Sequence, residues 1–247
     1  MIVQTYLHAL RQLPFASLER ITGGGPILVM SPHPDDESLG CGGLIAAASE
    51  AGQRVSIVTL TDGSGSHPNS ARYPAGALVA LRRAESVAAA AQLGVGQGDL
   101  SYLDLPDAAA PMGGPAFEAA VDRLDATIRD TGAVALLVTS RLDPHCDHEA
   151  AATMAGTVAK RHPTCRVWHY PIWSWHLPSE RVLTPPVVTQ GVRFDVSPVL
   201  DRKRAAIACH ASQMTKLIDD DPEGFCFTPE TLAPFLRNDE VFIAVDR

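Results

Sequence analysis

Short apolar blocks recur along the chain, each followed by a longer stretch of helical character. Ile27–Met30, Arg54–Leu60 (RVSIVTL), Ser101–Leu105, Ala133–Thr139 (AVALLVT) and Arg166–His169 read as strands. Gly42–Ala51, Ala77–Leu93, Ala116–Asp130 and His148–Arg161 read as the helices between them, the first two stopped by Gly52 and Gly94. Strands that are apolar at nearly every position need cover on both faces, which is the mark of a parallel sheet between helices. With right-handed crossovers the pattern predicts a three-layer α/β/α, Rossmann-like, mostly parallel and doubly wound sheet.

The pattern loosens after residue 170. Trp173, Trp175, Pro178, Pro185 and Pro186 mark an irregular segment. Val192–Val196 reads as an edge strand, Pro198–Ser212 as a helix and Val241–Val245 as a last strand. Residues 1–25 read as an N-terminal helical extension, with Leu7, Leu10, Leu13 and Leu18 near helical spacing and Gly23-Gly24-Gly25-Pro26 closing it. Residues 26–247 then form a single domain, with no repeat or linker in sight.

Composition narrows the picture. The chain has 247 residues, 46% hydrophobic and 19% charged, enough for one sizeable core. A net charge of −8 argues against a nucleic-acid partner, which calls for a Lys/Arg footprint. No apolar run reaches the ~20 residues of a membrane span, and no secretory signal is legible. Five widely spaced cysteines form no CxxC pair, so reduced thiols in a cytoplasmic setting are expected. The N-terminal helix and the tryptophan segment are candidate contacts in a homo-oligomer.

The chemistry gathers in two places. Ser31-Pro32-His33-Pro34-Asp35-Asp36-Glu37 follows the first strand, and Asp143-Pro144-His145-Cys146-Asp147-His148 follows the fourth. Ligands of open α/β sheets bind outside the carboxyl ends of the strands, so both clusters are expected at one edge. Acids this crowded repel unless a cation or a proton lies between them. Two imidazoles and a carboxylate would hold zinc with a position left open, and ferrous iron suits the same set. A spare carboxylate can then serve as general base and a spare histidine can stabilise an oxyanion. Spacing alone leaves the individual roles open. Asp35 is also an acceptable helix cap, and His67, in the Gly/Ser/Pro-rich loop Gly63–Pro74, reads as exposed. Gly40-Cys41-Gly42-Gly43 does not fit a dinucleotide fingerprint and is expected to permit close helix–sheet packing.

His33-Pro34-Asp35-Asp36-Glu37 with His145-Cys146-Asp147-His148 resembles the paired motifs of the LmbE-like, or PIG-L, zinc-dependent N-deacetylases. Thr61-Asp62-Gly63, Arg82-Arg83-Ala84-Glu85, Leu93-Gly94-Val95, Leu105-Pro106-Asp107 and the stretch from Lys203 to His210-Ala211-Ser212-Gln213 are similar to further family segments. The resemblance covers roughly residues 26–245. It implies an LmbE-like fold and metal-dependent removal of the N-acetyl group from an N-acetylglucosamine-type sugar or small-molecule conjugate. It also implies His33, Asp36 and His148 as zinc ligands, Asp35 as general base on the water, and His145 as the group that stabilises the oxyanion. Asp147 and Glu37 would support the ligands, and Arg82 and Asp107 would touch sugar hydroxyls. Cys146 stands where the family often has proline. A zinc amidase acting on a non-sugar amide and a catalytically idle metal- or glycan-binding protein are the alternatives.

Overall fold

The computed structural model describes residues 1–184 and 189–245. Pro185 and Pro186, read above as part of an irregular segment, lie outside the described residues. In chain order the elements are α1 (Val3–Arg11), α2 (Leu18–Thr22), β1 (Ile27–Ser31), α3 (Asp36–Glu50), β2 (Val55–Thr61), α4 (Ala75–Gln92), β3 (Leu100–Leu105), α5 (Gly114–Thr131), β4 (Ala135–Thr139), α6 (Cys146–Ala159) and β5 (Arg166–Tyr170). There follow β6 (Gly191–Asp195), α7 (Leu200–Cys209), α8 (Ala211–Met214), α9 (Pro229–Leu232) and β7 (Asp239–Ala244).

The seven strands lie in the order β3-β2-β1-β4-β5-β7-β6. The first five are parallel, and β7 runs antiparallel between β5 and β6. Alternate side chains divide between two cores, as a sheet covered on both faces requires. Ile27, Val29, Ile57 and Leu137 point to the layer that holds α3, α4 and α7. Leu28, Met30, Val58 and Val138 point to the opposite core, with Val121, Leu124, Met154 and Val158 of α5 and α6. The chain winds outward from β1 through β2 to β3, then returns to place β4 on the other side of β1. The gap between the loops after β1 and β4 is therefore the topological switch point, where an α/β sheet opens a crevice.

Two expectations are revised. The N-terminal segment is two helices, because Pro14 has no N–H to continue a helix and Ser17 caps a new one by accepting from the Arg20 amide. Val3, Tyr6 and Leu10 of α1 bury against Leu177, Leu183, Val241 and Ile243, so the segment covers the sheet's β7 end. The helix expected over 198–212 breaks at His210, whose φ/ψ of −81°/54° is not helical.

The helix expected over 42–51 is the rear part of α3. Cys41 interrupts α3 at φ −142°, ψ 19°. Past the break, the amides of Gly43 and Leu44 turn to the Glu240 carboxylate of β7 at 2.7 and 2.9 Å. Lys203 Nζ sits 2.7 Å from the same carboxylate, and both side chains are buried. A Cβ on Gly40 would fall 2.2 Å from Tyr170 Cδ2, and one on Gly43 2.3 Å from Val196 Cγ1. Only glycine lets α3 lie this close to its neighbours.

Candidate active site

Strand β1 ends in Ser31, and the next four residues wrap a tight turn that leads straight into α3. The turn is held from inside by Glu37. Its Oε2 accepts from Ser31 Oγ at 2.8 Å and its Oε1 accepts from Ser38 Oγ at 2.8 Å. The Asp35 amide also points at Oε2, at 3.3 Å. His210, at the break after α7, lies 3.5 Å from Glu37 Oε1 and closes the support from behind. Asp35 occupies φ 138°, ψ −29°, a backbone region that L-residues rarely adopt. Strain of this kind persists only where the surroundings enforce it, and here Arg82 does. Its guanidinium donates to Gly63 O at 2.9 Å, Pro34 O at 2.8 Å and Asp35 Oδ2 at 3.3 Å.

Residues 143–148 meet this turn across the switch point. Asp36 Oδ2 lies 3.2 Å from His33 Nδ1 and 3.3 Å from His148 Nε2. One ring nitrogen from each of His33, His145 and His148 lies within 4.8 Å of the others. His33 Nε2 faces Asp147 Oδ2 at 3.0 Å and Asp107 Oδ1 at 3.3 Å. Asp147 is fixed in turn by the amides of Ala108 and Ala110, at 2.8 and 2.9 Å. His148 Nδ1 faces Asp143 Oδ2 at 2.9 Å. Its Nε2 is buried and has no hydrogen-bond partner among the described residues. An imidazole that gives Nδ1–H to a carboxylate presents a bare lone pair at Nε2, the arrangement of a metal-ligating histidine. The orphaned nitrogen, the Asp36 oxygen beside it and the crowded acids fit a borderline cation such as zinc.

The charges are strongly coupled. Burial raises the Asp35 carboxyl to about 7, against the pull of Arg82. Burial also works against ionised Asp36, but the His148 and His33 charges outweigh it and hold that carboxyl far below the usual range. Burial lowers His148, yet Asp36 and Asp143 lift it to about 9. His145 is depressed by burial and by the two neighbouring imidazoles. The site thus separates a carboxyl that holds a proton near neutrality from one that stays ionised one residue away, the asymmetry that acid–base chemistry needs.

The structure brings His33, Asp35, Asp36, Glu37, Arg82, Asp107, His145, Asp147 and His148 together at one edge. The charged ends of Arg82 and Asp107, the two residues expected on substrate hydroxyls, lie at this edge against protein partners. Arg82 is 3% exposed and holds the Asp35 turn, and Asp107 bonds the Gly65 amide and faces His33. Arg82 sits on the buried stripe of α4 with Leu78, Glu85, Ser86 and Ala89, a helical spacing legible in the sequence. His67, expected to be exposed, is 3% exposed and buried against Gly224. The loop that carries it is tied to residues 213–225 through Asn69–Asp221, Ser70–Asp220 and the Phe225 amide on Ser66 O. Asp143 opens the 143–148 cluster, and spacing alone assigns it no role. Cys146 is the first residue of α6, and its exposed thiol points to Ala108 O.

The chain belongs to the PIG-L family, described as GlcNAc-PI de-N-acetylase, whose profile matches residues 28–159. It is 30% identical over 141 residues to a 2'-N-acetylparomamine deacetylase from Streptomyces fradiae, an alignment covering 53% of this chain and 50% of that protein. It is 39% identical over 95 residues to a 1D-myo-inositol 2-acetamido-2-deoxy-alpha-D-glucopyranoside deacetylase from Kineococcus radiotolerans, covering 37% of this chain and 26% of that one. The chain thus spans half or less of the length of these curated relatives. Among solved structures, the N,N'-diacetylchitobiose deacetylase from Pyrococcus horikoshii superposes with a TM-score of 0.65 at 21% identity, over 96% of this chain and 90% of that one. The 4-carboxy-2-hydroxymuconate hydratase from Pseudomonas putida superposes at 0.61 and 20%, over 90% and 97%. The shared fold therefore accompanies more than one chemistry, and the function must be argued from the site.

Proposed function

We propose that this protein is a metal-dependent hydrolase that removes the N-acetyl group from an acetamido sugar or a small-molecule conjugate of one. The observation that carries this is the convergence of His33, Asp36 and the unpartnered His148 Nε2, with a second, separately held carboxylate, Asp35, beside them. A metal site that only stabilised the fold would have no use for Asp35 in a strained conformation. The matching family and both curated relatives support the acetamido-sugar class.

His33, Asp36 and His148 would hold the cation, with zinc as the first choice from its N/O donor set and ferrous iron as the alternative. The cation supplies a positive charge that lowers the pKa of water and polarises a carbonyl. Asp35 accepts a proton as water adds to the acetyl carbon, and Arg82 orients it through Oδ2. His145 stabilises the negative charge that develops on the carbonyl oxygen. The C–N bond breaks, the nitrogen takes up the proton, and acetate and a free amine remain. Asp147 orients His33, and Glu37 braces the turn.

Residues 26–247 would act as one catalytic domain with residues 1–25 packed on it. A cytoplasmic setting is favoured by the cysteine usage of the sequence, widely spaced and without a CxxC pair. Among the described residues no helix is long and apolar enough to cross a membrane.

The test is amine release from a panel of N-acetylglucosaminyl conjugates. Release should need a divalent metal, stop on chelation, and fall by about 10²–10⁴-fold in Asp35→Asn, while that variant keeps its metal. Metal-loaded wild type that releases no amine from any acetamido sugar would refute the proposal.

A further inference from the structure

Asp143 is fully buried, and neither the motif nor the proposed chemistry gives it a task. It nevertheless makes more contacts than a turn residue needs. Oδ2 accepts from His148 Nδ1 at 2.9 Å and from the Ile172 amide at 3.1 Å. Oδ1 accepts from the Ser174 amide at 2.8 Å and from the Ser174 hydroxyl. One carboxylate therefore grips a ligand histidine with one oxygen and the turn after β5 with both.

That turn carries Trp173. The indole is partly exposed, stacks on Phe227 with ring centroids 5.6 Å apart, and meets Phe225 edge-on at 5.6 Å. The Phe225 amide in turn bonds Ser66 O in the loop after β2. The aromatic group thus lies at the carboxyl edge of the sheet, the same edge as His33 and His148. A ligand on His148 Nε2 withdraws electron density from the ring and makes Nδ1–H a stronger donor. The contact that tightens is the one to Asp143, and the carboxylate cannot shift toward His148 without carrying the backbone of 172–174.

We propose, building on the metal-dependent function above, that Asp143 is a positioning residue that couples cation capture at His148 to the placement of Trp173 in the turn after β5. Its carboxylate fixes the tautomer of His148 and, through the same two oxygens, the turn that carries the aromatic surface at the same sheet edge. The coupling is reciprocal, so whatever orders that turn also tightens the cation. A substrate with a ring or an apolar conjugate placed against Trp173 would then be held more firmly by the metal-loaded protein.

Zinc affinity by chelator competition, with tryptophan fluorescence followed in the same titration, tests this on the full chain. Wild type should show a fluorescence change on zinc binding that disappears in Trp173→Phe, where zinc affinity is kept. Asp143→Asn must turn its NH2 either to His148 Nδ1–H or to the Ser174 amide, so the charged double acceptor is lost, and it should lose about 10–100-fold in zinc affinity, together with the fluorescence response. Ser174→Ala leaves the His148 contact intact and should keep zinc affinity within about threefold while weakening the response. A folded Asp143→Asn with wild-type affinity overturns the proposal, as does a wild-type titration in which Trp173 never responds. Should Asp143→Asn fail to fold, the Ser174→Ala and Trp173→Phe titrations decide alone: an undiminished response in either refutes the coupling. Wild type that binds no zinc would instead refute the metal-dependent function itself.

Discussion

The buried pair Lys203–Glu240 offers the sharpest energetic test of the fold. Glu240 caps the rear half of α3 with bonds to the Gly43 and Leu44 amides, and Lys203 Nζ neutralises it from 2.7 Å. The two side chains are 2% and 1% exposed. Glu240→Ala strands an ammonium in the core and leaves two amides without an acceptor. Breaking a buried pair costs about 3–5 kcal/mol, and each orphaned amide adds about 1 kcal/mol or more. Set against a total stability of about 5–15 kcal/mol, this variant should be close to unfolded. Lys203→Met should cost about 3 kcal/mol, the low end for a broken pair, because the two amides still stabilise the carboxylate. The double variant Lys203→Met/Glu240→Gln removes both charges and keeps an oxygen for one amide. It should be less stable than wild type but more stable than Lys203→Met alone by about 1 kcal/mol, with strongly non-additive effects. Urea titrations followed by far-UV circular dichroism measure all three, with Glu240→Gln alone closing the cycle. Additive effects, or a Lys203→Met loss below about 1 kcal/mol, would refute the assignment of Glu240 as a charged cap that needs its lysine.

Three further outcomes follow from the geometry. Gly43→Ala drives a Cβ to 2.3 Å from Val196 and should cost about 1–3 kcal/mol, read as a lower Tm; an unchanged Tm would show that the layers can separate freely. His169 is held by burial at about 4, below the ordinary value of about 6.5. The folded chain therefore prefers the neutral ring, so this contribution is whole above pH 6.5 and is lost as pH falls toward 4. It is worth at most about 3 kcal/mol before allowing for the ring's partial exposure; His169→Asn should flatten that part of the pH–stability curve, and an identical curve would count against it. Because Asp36 and Asp143 keep His148 protonated up to about 9 when no cation is bound, zinc uptake should release protons and zinc affinity should climb from pH 6 to 9. Competition titrations at several pH values check this, and a flat profile would mean the ligands are already bare.

The parallel half of the sheet and the meeting of residues 33–36 with 143–148 were legible because they depend on patterns the sequence states openly. Continuous apolar strands require cover on both faces, and loops after neighbouring parallel strands share an edge. Arg82 was harder. On an alanine-rich helix a cation reads as solvated, and only its place on the stripe of Leu78 and Ala89 marks it as inward. Asp143 was illegible for a different reason, since its partners at 172 and 174 are brought near by β5 and not by spacing. The insertion of β7 between β5 and β6 left no trace in periodicity, because pairing order is a tertiary choice. His67 misled because its loop has the composition of a free surface segment, while its cover comes from residues 213–225.

The position of β7 also governs when the molecule can become itself during synthesis. Every ligand of the proposed metal centre lies before residue 149, and the five parallel strands are complete by residue 170. The strand that joins β6 to the sheet comes after all of them, and it brings Glu240, the cap of the helix that begins with Asp36. Until that strand emerges, β5 presents an unpaired edge and α3 lacks its rear support. The front of the protein is thus written early and secured late. A chain stalled before residue 239 would hold every chemical group of the site without the element that locks them in place.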